Sequence, residues 1–279
     1  MVLLFKLLGY LPLRVLHAFG AALGVVAYVF SERSRRLTRQ NLAIAGLTQQ
    51  VSPWRVMIEA GRTVTELAWI WSHPQQKIVS KVVSVSGWEQ VDEARKRGKG
   101  IVFLTPHLGC FEITAQYLAS QAPITVLYRR PKQAWLVPLV EQGRGNNLAI
   151  AAADISGVRT LIRALRAGEA IGMLPDQVPG NGEGVWAPFF GKPAYTMTLA
   201  ARLAASGATT LLIHAERRPR GIGYRIEVQP FTELLAGTPE ENAAAINRAI
   251  EAQIRKCPQQ YAWNYNRYKV PAGAEPPPQ

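Results

Sequence analysis

The longest stretch of this chain without a formal charge lies close to the N-terminus, and it constrains the fold more than any other feature. Residues 15–31, seventeen positions, are uncharged when His17 is counted as neutral, and residues 2–13 form a second apolar run that is broken only by Lys6. A helix that crosses a bilayer needs about 20 apolar residues. The run therefore lies at the lower limit for a membrane-spanning helix.

Three interpretations of residues 1–31 follow. The segment is a membrane anchor that spans the bilayer or lies in its interface, a buried core helix of a soluble protein, or a cleaved signal peptide. The third is disfavoured, because Lys6 is embedded in the apolar run and no small-residue cleavage site follows it. We favour the membrane anchor.

Arginines follow the apolar run directly. The segment Ser-Glu-Arg-Ser-Arg-Arg-Leu-Thr-Arg begins at Ser31 and ends at Arg39. Clustered arginines beside an apolar helix are typical of the cytoplasmic side of a membrane protein, and they bind anionic headgroups. The whole chain has 32 Lys and Arg against 19 Asp and Glu, a net charge of +13. This excess must face a nucleic acid, a membrane surface, or an acidic ligand or protein.

Helices and strands are predicted to alternate along the rest of the chain, which we interpret as one domain over residues 32–270. Strands are predicted at residues 78–85, 101–104, 124–128, 170–174, 209–215 and 224–228, and helices at residues 53–71, 88–97, 111–119, 158–167, 196–205 and 240–256. The alternation predicts an α/β fold, a mostly parallel sheet covered by helices, with functional residues beyond the carboxyl ends of the strands. The Pro-rich tail, residues 271–279, is predicted to be disordered.

His107 stands just beyond the predicted strand 101–104, where an α/β enzyme places catalytic groups. Glu112 follows five residues later, a separation that puts two side chains on different faces of a regular helix. The two can meet only if the chain bends through Gly109 into the next helix. A carboxylate that holds one imidazole nitrogen leaves the other nitrogen free as a general base. The alternative is a structural, partly buried histidine and an exposed glutamate.

Asp176 and Gln177 follow the predicted strand 170–174 and therefore point to the same edge of the sheet as His107. This shared location favours a functional role, and the alternative is that the aspartate caps a turn. The glycine-rich segment that follows, residues 180–184, lacks the Lys-Ser/Thr of a phosphate-binding loop. We interpret it as a flexible loop before a hairpin.

Three arginines are candidates for binding a phosphorylated substrate, because a guanidinium group binds phosphate in a bidentate way. Arg129 follows the predicted strand 124–128 at its carboxyl end. Arg144 lies in the segment Gly-Arg-Gly-Asn-Asn, and Arg159 opens a helix.

Other polar residues are expected to lie outside the site. Arg217 and Arg218 are expected to be solvated surface residues. Cys110 precedes a predicted helix, where a thiol can be activated, but side chains of adjacent residues diverge, so packing is the favoured role. Two cysteines and four histidines make neither a disulfide framework nor a zinc site, and we expect no metal or cofactor.

Several short motifs occur together along the chain. His107 and Glu112 fit the pattern His-x4-Asp/Glu. The other segments are Arg39-Gln-Asn-Leu42, Tyr128-Arg-Arg-Pro131, Gly157-Val-Arg-Thr-Leu161, Leu174-Pro-Asp-Gln177, Val185-Trp-Ala-Pro-Phe-Phe-Gly191 and Tyr265-Asn-Arg-Tyr-Lys269. Together they cover about residues 1–270, and the chain resembles the lipid A biosynthesis acyltransferases, the late lauroyl and myristoyl transferases of the His-x4-Asp/Glu type.

This resemblance implies a bacterial inner-membrane enzyme that is anchored by residues 1–31. Its globular part would be similar to the glycerol-phosphate acyltransferase fold and would lie on the cytoplasmic face. The donor would be an acyl thioester on acyl carrier protein or CoA, and the acceptor a hydroxyl on a phosphorylated glycolipid, the lipid A precursor of lipopolysaccharide biosynthesis. The remaining partners would be membrane lipids.

The resemblance also implies roles for individual residues. His107 would be the general base, Glu112 would orient it, and the acceptor oxygen would attack the thioester directly, without an acyl-enzyme. The implied substrate-binding residues are Arg129, Arg144, Arg159, Asp176 and Gln177.

Two other functions would account for some of the same sequence features. A lysophospholipid or other glycolipid acyltransferase that uses acyl-CoA or acyl carrier protein fits the same residues and stays the alternative. Nucleic-acid binding would account for the positive charge but not for the uncharged run, and the sequence has no helix-turn-helix, RNA-recognition or zinc signature. We therefore expect the charge to face a membrane and its acidic lipids, and not nucleic acid.

Overall fold

The computed structural model describes residues 2–131, 133–142, 148–180 and 182–277, in which there are eleven α-helices and nine β-strands. The helices are α1 (Val2–Gly9), α2 (Leu13–Phe30), α3 (Glu32–Ile44), α4 (Pro53–Ser72), α5 (Gln75–Val79), α6 (Glu89–Arg97), α7 (Phe111–Gln121), α8 (Val137–Gln142), α9 (Ile155–Arg166), α10 (Thr198–Ala204) and α11 (Pro239–Ile254). The strands are β1 (Val82–Ser86), β2 (Ile101–Leu104), β3 (Ile124–Tyr128), β4 (Leu148–Ala152), β5 (Ala170–Met173), β6 (Gly184–Phe189), β7 (Lys192–Met197), β8 (Thr209–Arg217) and β9 (Tyr224–Pro230).

Seven of these strands form one sheet in the order β1-β9-β8-β2-β5-β3-β4. Neighbouring strands pair in parallel except β8 and β9, so β8, β2, β5, β3 and β4 share one direction, while β9 and β1 run the opposite way. β6 and β7 form a separate antiparallel hairpin. The predicted α/β fold with a mostly parallel sheet is confirmed.

Helices cover both faces of the sheet, because successive side chains of a strand point to opposite faces and both faces are apolar here. Val102 and Leu104 of β2 pack on the face that is covered by α9, α10 and α11. Ile101 and Phe103 pack on the other face, which is covered by α2, α4, α6 and α7. β2 is buried at all its positions, as expected of a central strand.

The apolar helix α2 packs along α4 in the antiparallel direction, so it belongs to the folded body of the protein. Glycines allow the two backbones to come close. A Cβ on Gly20 would lie 2.7 Å from the carbonyl oxygen of Gly61, and a Cβ on Gly24 would lie 2.1 Å from that of Met57. No larger residue fits at either glycine unless the helices move apart.

The opposite face of α2 is exposed and apolar. Among the described residues, α2 is the one helix that is long and apolar enough to cross a membrane, although 28% of it is buried against the rest of the protein. The large exposed side chains of this face are Val15, Phe19, Leu23, Val25, Val26, Val29 and Phe30. α1 adds Leu3, Leu7 and, directly after its end, Tyr10.

Most predicted elements occur within two residues of where the sequence places them, and two begin elsewhere. The strand predicted from residue 78 begins at Val82, because Ile78 belongs to the short helix α5. α9 begins three residues before the prediction, because the carboxylate of Asp154 accepts a hydrogen bond from the Gly157 N–H at 2.9 Å and caps the helix. The sequence analysis does not predict α3, α5, α8 or β4, and the alanine-rich sequence of β4 has low strand propensity.

The C-terminal tail has no helix or strand over residues 271–277. The indole N–H of Trp186 donates a hydrogen bond to the carbonyl oxygen of Glu275 at 3.0 Å. Disorder of the tail and the domain boundary at residue 31 stay predictions.

Candidate active site

The segment that connects β2 to α7, residues 105–110, carries His107 and is called the His107 loop below. Gly109 bends this loop with a φ of +59°, and a Cβ at this position would lie 2.0 Å from the carbonyl oxygen of Ala215. Only glycine combines the required conformation with the required space. The Gly109 N–H also donates to the carbonyl oxygen of Gln260 at 3.0 Å. The predicted bend at Gly109 is therefore confirmed.

Asp176 holds His107 through two hydrogen bonds. Nδ1 of His107 lies 2.7 Å from Oδ1 of Asp176, and the backbone N–H of His107 donates to Oδ2 at 2.9 Å. The carboxylate is buried, with 1% of the side chain exposed. Burial alone would raise the pKa of Asp176, but the charge and hydrogen bonds of His107 outweigh it and lower the pKa. Asp176 is therefore ionised at neutral pH.

Gln177 contacts the other ring nitrogen of His107. Its side-chain Nε2 lies 3.0 Å from Nε2 of His107. An amide NH2 group is a donor, so the ring nitrogen that faces it is the acceptor, and the ring proton resides on Nδ1, which donates to Asp176. We assign this tautomer from the hydrogen-bond pattern. A neutral imidazole in this arrangement has its lone pair at Nε2, where it can accept a proton from a bound hydroxyl group.

An apolar cavity of about 370 Å³ lies against His107. Strand residues such as Phe103, Val126 and Met173 line it, together with residues of α4 and α7. The charged and amide side chains of its lining are His107, Glu112, Arg129 and Gln177. A concave, mostly apolar surface with a few polar groups is typical of a binding site for an organic ligand.

Glu112 lies in the first turn of α7 and lines the same cavity as His107. It is 4% exposed, so the alternative of an exposed helix residue is wrong. The orienting hydrogen bond to His107 that the structure shows belongs to Asp176. The role of Glu112 in orienting His107 therefore stays a prediction.

The three candidate arginines differ in their location. Arg129 lines the cavity, and its side chain is 66% exposed and lies 3.7 Å from the carboxylate of Glu183. Arg159 is exposed on α9, apart from the described lining of the cavity. Arg144 lies outside the described residues. Arg129 thus lines the same cavity as His107, whereas Arg159 is absent from the described lining of that cavity.

The predictions for Cys110 and Arg217 have opposite outcomes. Cys110 is 1% exposed, as predicted for a packing role, and burial raises the pKa of its thiol well above the usual value. Arg217 is not a surface residue, since only 2% of its side chain is exposed and it lies between the carboxylates of Glu59 and Glu66. The surface prediction for Arg217 is wrong, because both carboxylates come from α4, which is far away in the sequence.

The C-terminal motif, residues 265–269, supports the segment that carries Asp176. The hydroxyl of Tyr265 accepts a hydrogen bond from the Val178 N–H at 3.0 Å. Arg267 is buried and donates to the carbonyl oxygen of Tyr195 at 2.7 Å. The sequence indicates the motif but not this supporting role, because the contacts join segments that are distant along the chain.

Comparison with known proteins identifies the family of this chain. The family described as bacterial lipid A biosynthesis acyltransferase matches residues 1–270, and the chain belongs to this family. The resemblance carried by the motifs is thereby confirmed, and the protein is an enzyme that transfers acyl groups.

The similar curated proteins differ in the acyl group that they transfer. The chain is 27% identical over 272 residues to the lipid A biosynthesis palmitoleoyltransferase of Escherichia coli (strain K12), covering 93% of this chain and 87% of the relative. It is 28% identical over 272 residues to the lauroyltransferase of the same strain, with the same coverage. Identity to the myristoyltransferase is 24% over 260 residues, 87% of this chain and 77% of the relative.

We predict that Asp176→Asn lowers the rate of acyl transfer by about 10²–10⁴-fold while the protein stays folded. The amide keeps the shape of the carboxylate, but it cannot stabilise an imidazolium and it can donate to Nδ1, which favours the wrong tautomer of His107. Initial rates of the purified variant, with circular dichroism as the folding check, measure this effect. A Glu112→Gln variant is the matched comparison. A wild-type rate in Asp176→Asn together with a loss in Glu112→Gln would assign the orienting role to Glu112 instead.

Proposed function

We propose that this protein transfers a fatty acyl chain from an acyl thioester to a hydroxyl group of a lipid A precursor. The proposed donor is acyl carrier protein, whose acidic surface suits a chain with a net charge of +13. The observation that carries the proposal is the 2.7 Å contact between His107 and Asp176 beside an apolar cavity, in a member of the lipid A acyltransferase family.

His107 acts as the general base in this reaction. Its Nε2 takes the proton of the acceptor hydroxyl while the oxygen attacks the thioester carbonyl carbon, and Asp176 stabilises the imidazolium that forms. The tetrahedral intermediate then collapses, the carbon–sulfur bond breaks, and the imidazolium returns the proton to the leaving thiolate. The raised pKa of the buried Cys110 thiol supports direct attack rather than an acyl-enzyme.

Gln177 marks the position of the acceptor hydroxyl. Its amide lies 3.0 Å from Nε2 of His107, the distance at which a hydroxyl group would hydrogen-bond the same nitrogen. The acceptor takes over this hydrogen bond when it binds, and the Gln177 amide then donates to an oxygen of the acceptor. Gln177 is thus a substrate-binding residue in this proposal.

The apolar cavity holds the acyl chain, because each buried methylene group contributes about 0.8 kcal/mol to binding. Arg129 binds a phosphate of the acceptor in this proposal. It lines the cavity, and its ion-pair partner among the described residues is an exposed carboxylate at 3.7 Å. Arg144 and Arg159 are proposed to bind other polar groups of the same acceptor. Glu112 lies in the wall of the same cavity.

α2 attaches the protein to one leaflet of the inner membrane, on the cytoplasmic side. α2 is packed along α4, so a bilayer around α2 would also surround Glu59 and Arg62, whose burial in hydrocarbon is unfavourable. We therefore propose that α2 lies in the interface, with Phe19 and Leu23 toward the acyl tails and the arginines of residues 33–39 on anionic headgroups. The site then opens close to its lipid acceptor.

We predict that deletion of the gene removes one acyl chain from lipid A and leaves the phospholipids unchanged, because the proposed acceptor is a lipid A precursor. Mass spectrometry of the extracted membrane lipids measures both classes, and expression of the wild-type chain should restore the missing acyl chain. Unchanged lipid A with altered phospholipid acylation would contradict the proposal and support a lysophospholipid acyltransferase.

We predict that the segments before and after α2, probed at Lys6 of α1 and Glu32 of α3, lie on the same side of the membrane. In inverted inner-membrane vesicles, a membrane-impermeant maleimide should label Lys6→Cys and Glu32→Cys variants equally, since both positions are exposed in the structure. Leu234→Cys, at a position that is 83% exposed in the globular part, is the matched control, and both native cysteines are buried. Labelling of Glu32→Cys alone would show that α2 spans the bilayer.

A further inference from the structure

A buried cluster of charges lies between the two helices α2 and α4 and the His107 loop, and the mechanism proposed above does not use it. Arg217, the last residue of β8, donates from Nε to Glu66 of α4 at 2.8 Å and from Nη2 to the other oxygen of the same carboxylate. Its Nη1 donates to Glu59 at 2.6 Å. Arg217 and Glu66 are almost completely inaccessible to solvent, with 2% and 0% of their side chains exposed.

Neighbouring side chains satisfy the other polar atoms of the pair. Thr63 accepts a hydrogen bond from Nη2 of Arg217 at 2.8 Å. Oε2 of Glu66 accepts a second hydrogen bond from the hydroxyl of Tyr224 at 3.0 Å, and it lies 3.2 Å from Nε2 of His17. Burial would raise the pKa of Glu66, but Arg217 and His17 lower it below its usual value, so the carboxylate stays charged.

Hydrogen bonds lead from Arg217 to the His107 loop. The side chain of Gln260 accepts from the backbone N–H of Arg217 at 2.8 Å and donates to its carbonyl oxygen at 2.9 Å. The carbonyl oxygen of Gln260 accepts from the Gly109 N–H at 3.0 Å. Nη2 of Arg217 itself lies 3.5 Å from the Gly109 carbonyl oxygen. The bend of the loop is thus held by the backbone of Gln260, which is itself bonded to the backbone of Arg217, and by the side chain of Arg217.

Hydrogen bonds lead from the other side of the cluster to α2. His17 lies on the buried face of α2 and contacts Glu66. One residue before Glu66, the hydroxyl of Thr65 donates to the carbonyl oxygen of Leu16 at 2.9 Å. A continuous set of polar contacts therefore joins the helix whose outer face is apolar and exposed to the loop that carries His107.

We propose that Glu66 and Arg217 are a positioning pair, which fixes the His107 loop relative to α2 and α4. Well-packed apolar residues of similar volume often replace a buried ion pair without loss of stability. The hydrogen bond from the Arg217 side chain to the Gly109 carbonyl oxygen, together with the bonds between Gln260 and the Arg217 backbone, therefore accounts for the pair better than stability does. The inference rests on the proposed function, because positioning His107 matters only if His107 acts on a substrate.

The test is the double variant Glu66→Gln/Arg217→Met. A single change at Glu66 is avoided, because it would leave the buried charge of Arg217 with only one of its two carboxylate partners. In the double variant the side-chain amide at position 66 can still hydrogen-bond Tyr224 and His17. Glu59 keeps its ion pair with Arg62. We expect an unchanged unfolding midpoint and a turnover that is lower by about 100-fold, the loss that a misplacement of about 1 Å produces.

A second measurement separates positioning from folding. The imidazole 15N resonances of His107, assigned with a His107→Gln sample, report which ring nitrogen carries the proton. We expect the wild-type protein to hold the proton on Nδ1 and the double variant to show a mixture of tautomers. This measurement needs no substrate, so it tests the inference even if the proposed function is wrong.

The matched control is His214→Leu/Gln253→Leu, a buried polar pair that joins the same strand β8 to α11 on the other face of the sheet. The control should keep the wild-type turnover and the wild-type His107 resonances. Wild-type values of both quantities in folded Glu66→Gln/Arg217→Met would overturn the proposal. If that variant does not fold, Arg217→Lys is the deciding variant, because it keeps the positive charge but loses the planar set of guanidinium donors. We expect about a tenfold lower turnover and altered His107 resonances. Wild-type turnover and wild-type resonances would overturn the proposal.

Discussion

The parallel pairing of β2 with β5 is the constraint on which the site depends. Leu104 and Met173, the last residues of the two strands, lie opposite each other. His107 and Asp176 each stand three residues beyond these paired ends. The imidazole and the carboxylate therefore lie side by side at the same edge of the sheet. A shift in the register of β2 and β5 would separate the base from the group that holds it.

Two buried carboxylates lie behind the His107 loop, and each has a lowered pKa. Asp176 is stabilised by His107 and Glu66 by Arg217 against the cost of burial. A lowered pKa means that each group stabilises the native state above the ordinary carboxyl range and loses this contribution as the pH falls through its value in the folded protein. The catalytic edge of the sheet is thus held by the hydrogen bonds of Asp176 to His107 and by the ion pair of Glu66 with Arg217, while the cavity that His107 lines is apolar.

The sequence predicts the sheet well because apolar runs and turn residues are local signals, and it places His107, Asp176 and Gln177 at one edge because parallel strands end on the same side. It does not identify the carboxylate that bonds His107, since strand order cannot be read from a single sequence and Glu112 is nearer along the chain. Arg217 looks like a surface residue for the same reason, because its carboxylate partners lie 151 and 158 positions away.

The central claim is that His107, held by Asp176, takes the proton of the acceptor hydroxyl during direct acyl transfer. The most direct measurement is the single-turnover rate at which purified His107→Ala protein transfers a labelled acyl chain from acyl carrier protein to a lipid A precursor. We expect a rate that is about 10²–10⁴-fold below that of the wild-type protein, with an unchanged circular dichroism spectrum. Transfer at the wild-type rate by the folded variant would contradict the mechanism.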